Sequence, residues 1–135
     1  MIYLADANLL IASALAIHVN HAAARKWFAA GPQFATTPIT ELALIRVATH
    51  KNYGVSFADA FAALEAIQQL ANHVFWPADI GLDRNLFGGA VPSTLTTDAY
   101  LLALARQKGG KLATFDQGIK GIAKGFEANL ELLVA

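Results

Sequence analysis

Four acidic residues stand out by where they sit: Asp6, Glu41, Asp98 and Asp116. Each falls where a stretch that reads as strand or loop gives way to one that reads as helix or turn. Residues 2–5 form a short apolar run closed by Asp6-Ala7-Asn8, and residues 34–36 run into Thr37-Pro38-Ile39-Thr40-Glu41. Thr96-Thr97-Asp98 opens an apolar helical stretch, and residues 111–115 end at Asp116-Gln117-Gly118. Singly, such acids have ordinary structural roles, since a carboxylate complements a helix start or forms a turn. Together in one cleft they would repel, raising their pKa values or costing stability, and a divalent cation removes that conflict. With no cysteine in the chain and no clustered histidine, the oxygen donors suit Mg²⁺ or Mn²⁺ better than zinc. Such an ion holds phosphate oxygens, activates water and stabilises both oxygens of an in-line displacement, which makes phosphodiester hydrolysis the natural reaction class.

The elements that must position these acids can be taken in chain order. After the first strand, apolar Ala-rich sequence predicts a helix, with Asp6 and Asn8 able to cap it. Asn20 is placed to cap a second helix carrying Trp27 and Phe28, expected in the core, before Gly31-Pro32 ends it. Thr37 followed by Pro38 is a strong helix start, with Glu41 in the first turn and Arg46 further along on another face. Arg46 is a candidate for meeting phosphate. Residues 50–54 read as a polar loop and a candidate substrate contact, and the four histidines show no metal-ligand spacing. Ser56 opens a helix with Phe57, Phe61, Leu64 and Ile67 along one stripe, either core or a partner groove. Residues 73–76 predict a strand ended by Pro77, and residues 82–87 could form a turn of helix. The helix entered at Asp98 breaks at Gly109-Gly110, and residues 111–115 and 130–134 read as the last two strands. Strands alternating with helices predict an α/β sandwich around a mainly parallel sheet, whose ligands bind beyond the carboxyl ends of the strands.

Composition sets the bounds. At 135 residues and 56% hydrophobic, the chain is expected to be one domain spanning 1–135, with ample apolar surface for a core. A mean hydropathy of +0.42 is high for a chain of this size and points to a covered partner surface. The absence of cysteine excludes disulfides, thiolate catalysis and zinc-thiolate sites and suits a reducing cytoplasm. Residues 9–17 are apolar but too short to span a bilayer, so no membrane role is expected. Ten acids balance ten lysines and arginines, yet if four acids cluster, the remaining surface keeps a basic surplus.

These residues resemble a known family. Asp6-Ala7-Asn8 after a first strand, Thr40-Glu41-Leu42 and Thr97-Asp98-Ala99 at helix starts, and Thr114-Phe115-Asp116 after a later strand look like the PIN-domain ribonucleases. The likeness is greatest to the VapC-type toxins of bacterial toxin–antitoxin pairs and covers essentially the whole chain. It implies a PIN-like three-layer α/β/α sandwich in which Asp6, Glu41, Asp98 and Asp116 bind one or two Mg²⁺ or Mn²⁺ ions, with Asn8 and Thr114 as supporting polar residues. It implies hydrolysis of RNA to 5′-phosphate and 3′-hydroxyl ends, a homodimer, and inhibition by a cognate antitoxin protein. Relatives commonly carry another acid two residues beyond the last one, where this chain has Gly118, which bears on a second metal. The alternative is a catalytically silent PIN-like module that binds RNA or protein.

Overall fold

A computed structural model describes residues 1–135. Five short strands form one sheet: β1 (Tyr3–Ala5), β2 (Phe34–Thr36), β3 (His73–Phe75), β4 (Lys111–Thr114) and β5 (Leu130–Leu132). Their order is β3-β2-β1-β4-β5 and every pairing is parallel. From central β1 the chain winds outward through β2 to β3, then returns to lay β4 and β5 on the other side. The direction therefore reverses at β1, and the crevice beyond its carboxyl end is the ligand position of such a sheet.

The helices are α1 (Ala7–Ala14), α2 (His21–Ala29), α3 (Pro38–Ala48), α4 (Phe57–Gln68) and α5 (Thr96–Gln107). They divide into two layers because strand residues alternate between faces. Ala5, Phe34 and Ala113 pack with Leu9, Leu10, Leu44, Leu64 and Ile67 of α1, α3 and α4. Leu4, Ala35 and Leu112 pack with Leu101, Leu102 and Leu104 of α5. The result is the expected three-layer sandwich, with α5 covering one face and four helices the other.

Local chemistry explains where the elements begin and end. Asp6 caps α1 by accepting from the Ala7 N–H at 2.7 Å, and Ser56 caps α4 by accepting from the Asp59 N–H at 3.1 Å. Pro38 starts α3. Gly109 ends α5 with φ of 73°, and a Cβ on Gly110 would overlap the Ile2 carbonyl, so the double glycine lets β4 lie close beside β1. Trp27 and Phe28 are half-buried and form an edge-on aromatic series with Tyr3 and Phe34, at the margin of the core and not in its centre.

The α4 stripe divides. Ala60, Leu64 and Ile67 define its buried side, while Phe57 and Phe61 lie off that side and are 66% and 40% exposed. Residues 82–87 form turns and no helix, since Asp83 accepts from the Asn85 N–H and bends the chain. No helix is long and apolar enough to cross a membrane.

Candidate carboxylate site

Asp6 follows β1, Asp116 follows β4, and Asp98 lies in the first turn of α5. β1 and β4 are neighbours in register, Ala5 opposite Ala113, so the next residues, Asp6 and Thr114, face each other across the strand ends. The Thr114 hydroxyl, fully buried, donates to Asp6 Oδ2 at 2.6 Å and accepts from the Asp116 N–H at 3.0 Å. One side chain thereby fixes both acids. Asn8 lies alongside, its Oδ1 3.4 Å from the same hydroxyl, at the far limit of a hydrogen bond. Asp116 Oδ1 accepts from the Gly118 N–H at 2.8 Å, and a Cβ on Gly118 would lie 3.1 Å from that oxygen. A side chain at position 118 would therefore crowd the Asp116 carboxylate.

The three aspartates feel one another. Asp6 is only 4% exposed, and burial holds its carboxyl above the usual range against the lowering pull of Thr114 and the Ala7 N–H, with the charge of Asp116 adding to the rise. Asp98 is pushed up to about 6, by burial first and then by the charges of Asp6 and Asp116. No lysine or arginine forms an ion pair with any of the three: the two salt bridges join Lys108 to Asp79 and Lys111 to Glu131. Carboxylates crowded without a counter-charge have the chemistry of a hard-cation site. As they stand, however, no three acidic or imidazole side chains lie close enough to share one metal ion.

Glu41 takes other partners. Its Oε2 accepts from the Thr36 hydroxyl at 2.7 Å and from Gln68 Nε2 of α4 at 3.0 Å, and its charge acts on His73. His73 Nε2 lies 2.7 Å from the same Thr36 hydroxyl, and its pKa is lowered by burial more than Glu41 and the Gln68 backbone raise it. Arg46 is exposed on the later half of α3 and lines a pocket of about 280 Å³ with Val47, His50, Asn52 and Tyr53. None of the four acids lines that pocket.

Thr36, Gln68 and His73 escaped sequence reasoning. Thr36 was legible only as a strand residue, and contact between Glu41 and Gln68 spans 27 positions with no motif joining them.

The PIN domain family matches residues 3–125. Ribonuclease VapC39 of Mycobacterium tuberculosis is 40% identical over 127 residues, covering 88% of this chain and 91% of the relative. Ribonuclease VapC29 of the same organism is 41% identical over 120 residues, covering 88% and 89%. Among solved structures, the M. tuberculosis toxin VapC20, described as cleaving the sarcin-ricin loop, superposes with a TM-score of 0.64 at 18% identity over 88% of this chain and 93% of that one. At that identity the likeness speaks to the fold.

Proposed function

The chain belongs to the PIN-domain family, and from that premise we propose that it is a metal-dependent endoribonuclease, the toxin of a toxin–antitoxin pair. The observation that carries this reading is the set of three aspartates, two past strand ends and one in the first turn of α5, two of them with raised pKa values and none with a cationic partner. The ribonuclease names of relatives at about 40% identity support the same reaction class.

Asp6, Asp98 and Asp116, with Glu41 as the fourth carboxylate, would hold Mg²⁺ or Mn²⁺. Bound there, the ion supplies neutralising charge at a phosphate and makes water a better nucleophile. The chain's own groups do the rest. Thr114 fixes the direction of Asp6 Oδ2 and anchors the backbone of Asp116. Asn8 offers an amide beside both. Water attacks the phosphorus of an RNA phosphodiester, the bond to the 3′-oxygen breaks, and the products carry 5′-phosphate and 3′-hydroxyl ends. Arg46, an exposed cation with no ion-pair partner, is assigned to the RNA backbone away from the cut. With Gly118 in place of a further acid, one ion suffices for this scheme.

Exposed Phe57, Phe61 and Leu42 offer apolar surface for a cognate antitoxin and for a second copy of the chain. RNA and antitoxin together put its work in the cytoplasm.

The test is incubation of the purified protein with total cellular RNA in Mg²⁺ or Mn²⁺, beside EDTA and Asp98→Asn controls, with sequencing of the new ends. Discrete cuts bearing 5′-phosphates and lost in both controls are expected. Cleavage that survives both would reject these acids as the site, and no cleavage at all would favour a silent binding module.

A further inference from the structure

In the strand row next to Asp6 lies a buried hydroxyl with no hydrogen-bond partner. β1 pairs with β2 in the register Leu4 opposite Ala35, and with β4 in the register Leu4 opposite Leu112. Two residues further along each strand come Thr37, Asp6 and Thr114. Asp6 (φ −63°, ψ 156°) and Thr37 (φ −137°, ψ 159°) keep extended backbones, so the register carries on through them. The three then form one row across the carboxyl ends of β2, β1 and β4. Because faces alternate along a strand, the row lies on the same face as Leu4, Ala35 and Leu112, which is the face that α5 covers and Asp98 approaches.

The two threonines flanking Asp6 are unequal. Both are 0% exposed. Thr114 uses its hydroxyl twice, once toward Asp6 and once toward Asp116. The Thr37 hydroxyl has no partner at all. Thr37 caps α3 in a capping-box arrangement, with the Thr40 hydroxyl accepting from the Thr37 N–H at 3.2 Å, but the reciprocal contact at Thr37 Oγ1 falls outside hydrogen-bond geometry. A sealed hydroxyl with a free proton costs stability, and a valine of the same shape would avoid the cost. Capping α3 accounts for the oxygen of this hydroxyl, but its proton has no acceptor within the fold.

We infer that Thr37 is a positioning residue of the carboxylate site, donating its hydroxyl proton to an oxygen that comes to lie beside Asp6 when a divalent cation is bound. The inference rests on the metal-dependent reading above. It assigns Thr37 to the side of Asp6 opposite Thr114, so that the central carboxylate would be steadied from both neighbouring strands.

The test compares wild type, Thr37→Val, Thr37→Ser and Asp98→Asn by thermal melting across a Mn²⁺ titration, with no RNA present. Without metal, Thr37→Val is expected to melt close to the wild-type temperature, since the hydroxyl makes no hydrogen bond within the fold. Its Mn²⁺ dissociation constant should rise about tenfold, and Thr37→Ser should restore the wild-type value. A Thr37→Val protein with wild-type Mn²⁺ response overturns the inference while leaving the metal site standing. So does one that melts lower without metal and responds to Mn²⁺ normally, because Thr37 is then only a helix cap. A wild type with no Mn²⁺ response removes the premise, and the inference falls with it.

Discussion

Two corners of the same sheet end hold carboxylates in opposite circumstances. At the corner between β2, β3 and α4, Glu41 is satisfied by neutral donors, the Thr36 hydroxyl and the Gln68 amide. At the corner between β1, β4 and α5, Asp6, Asp98 and Asp116 face one another, and only Asp6 and Asp116 receive hydrogen bonds. Hydrogen bonds from neutral groups settle one half-buried charge but cannot settle three that repel. The contrast separates an acid with local partners from three that have no cationic partner in the fold.

The largest expected effect comes from removing the central charge. Asp6→Asn keeps an N-cap residue for α1, so the fold should survive by circular dichroism. Metal-dependent RNA cleavage should fall about a thousandfold or more, the equivalent of several kcal/mol of charge stabilisation. Cleavage within tenfold of wild type would dissolve the distinction between the corners.

Thr114→Val attacks the same corner through its hub. It leaves Asp6 Oδ2 and the Asp116 N–H without their partner, so chemical denaturation should show a loss of about 1–3 kcal/mol. An unchanged midpoint would mean that Thr114 fixes nothing.

Asp98→Asn should do the reverse to the metal-free protein. Its folded pKa of about 6 lies above the ordinary 3.8, so the protonated form is favoured in the fold. The contribution is fully present below pH 4 and is lost as pH rises through 6. Neutralising the residue should therefore stabilise the metal-free protein above pH 6. The full shift corresponds to about 3 kcal/mol, and because Asp98 is only half-buried, about 1–2 kcal/mol is expected after solvent screening. The difference between wild type and variant should vanish toward pH 4. A variant less stable than wild type at pH 7 would contradict the repulsion.

Glu41→Gln sharpens the comparison from the settled side. Its metal-free stability should change by less than about 1 kcal/mol, because an amide oxygen can still accept from Thr36 and Gln68. Cleavage should fall about tenfold, less than for Asp6→Asn, as expected of a fourth carboxylate with local partners. Equal losses for the two variants would erase the difference between the corners.

Much of this was legible in the sequence because short-range signals coincide with real boundaries. Asp6 and Ser56 cap their helices and Pro38 opens α3 as their types require, and Gly109-Gly110 marks the close approach of β4 to β1. The acids Asp6, Asp98 and Asp116 could be placed at element ends from spacing alone. What sequence did not carry was the partner each side chain chooses. Glu41 and Asp98 both sit in the first turn of a helix, yet one meets Gln68 and Thr36 while the other meets two aspartates, and that depends on contacts across the fold. The exposure of Phe57 was hidden for a similar reason. Its stripe on α4 is continuous, and only the packing of α4 against α3 decides where the buried part ends.

The proposed function requires the three aspartates to bind a divalent cation. Calorimetric titration of Mn²⁺ into the metal-free protein at pH 6, in two buffers of different ionisation heat, tests it most directly. The account predicts saturable binding with net proton release, because Asp98 must give up its proton as the ion binds. Asp98→Asn should bind far more weakly and release fewer protons. Binding of equal strength and equal proton release in both proteins would contradict the account, since the cation would then sit elsewhere.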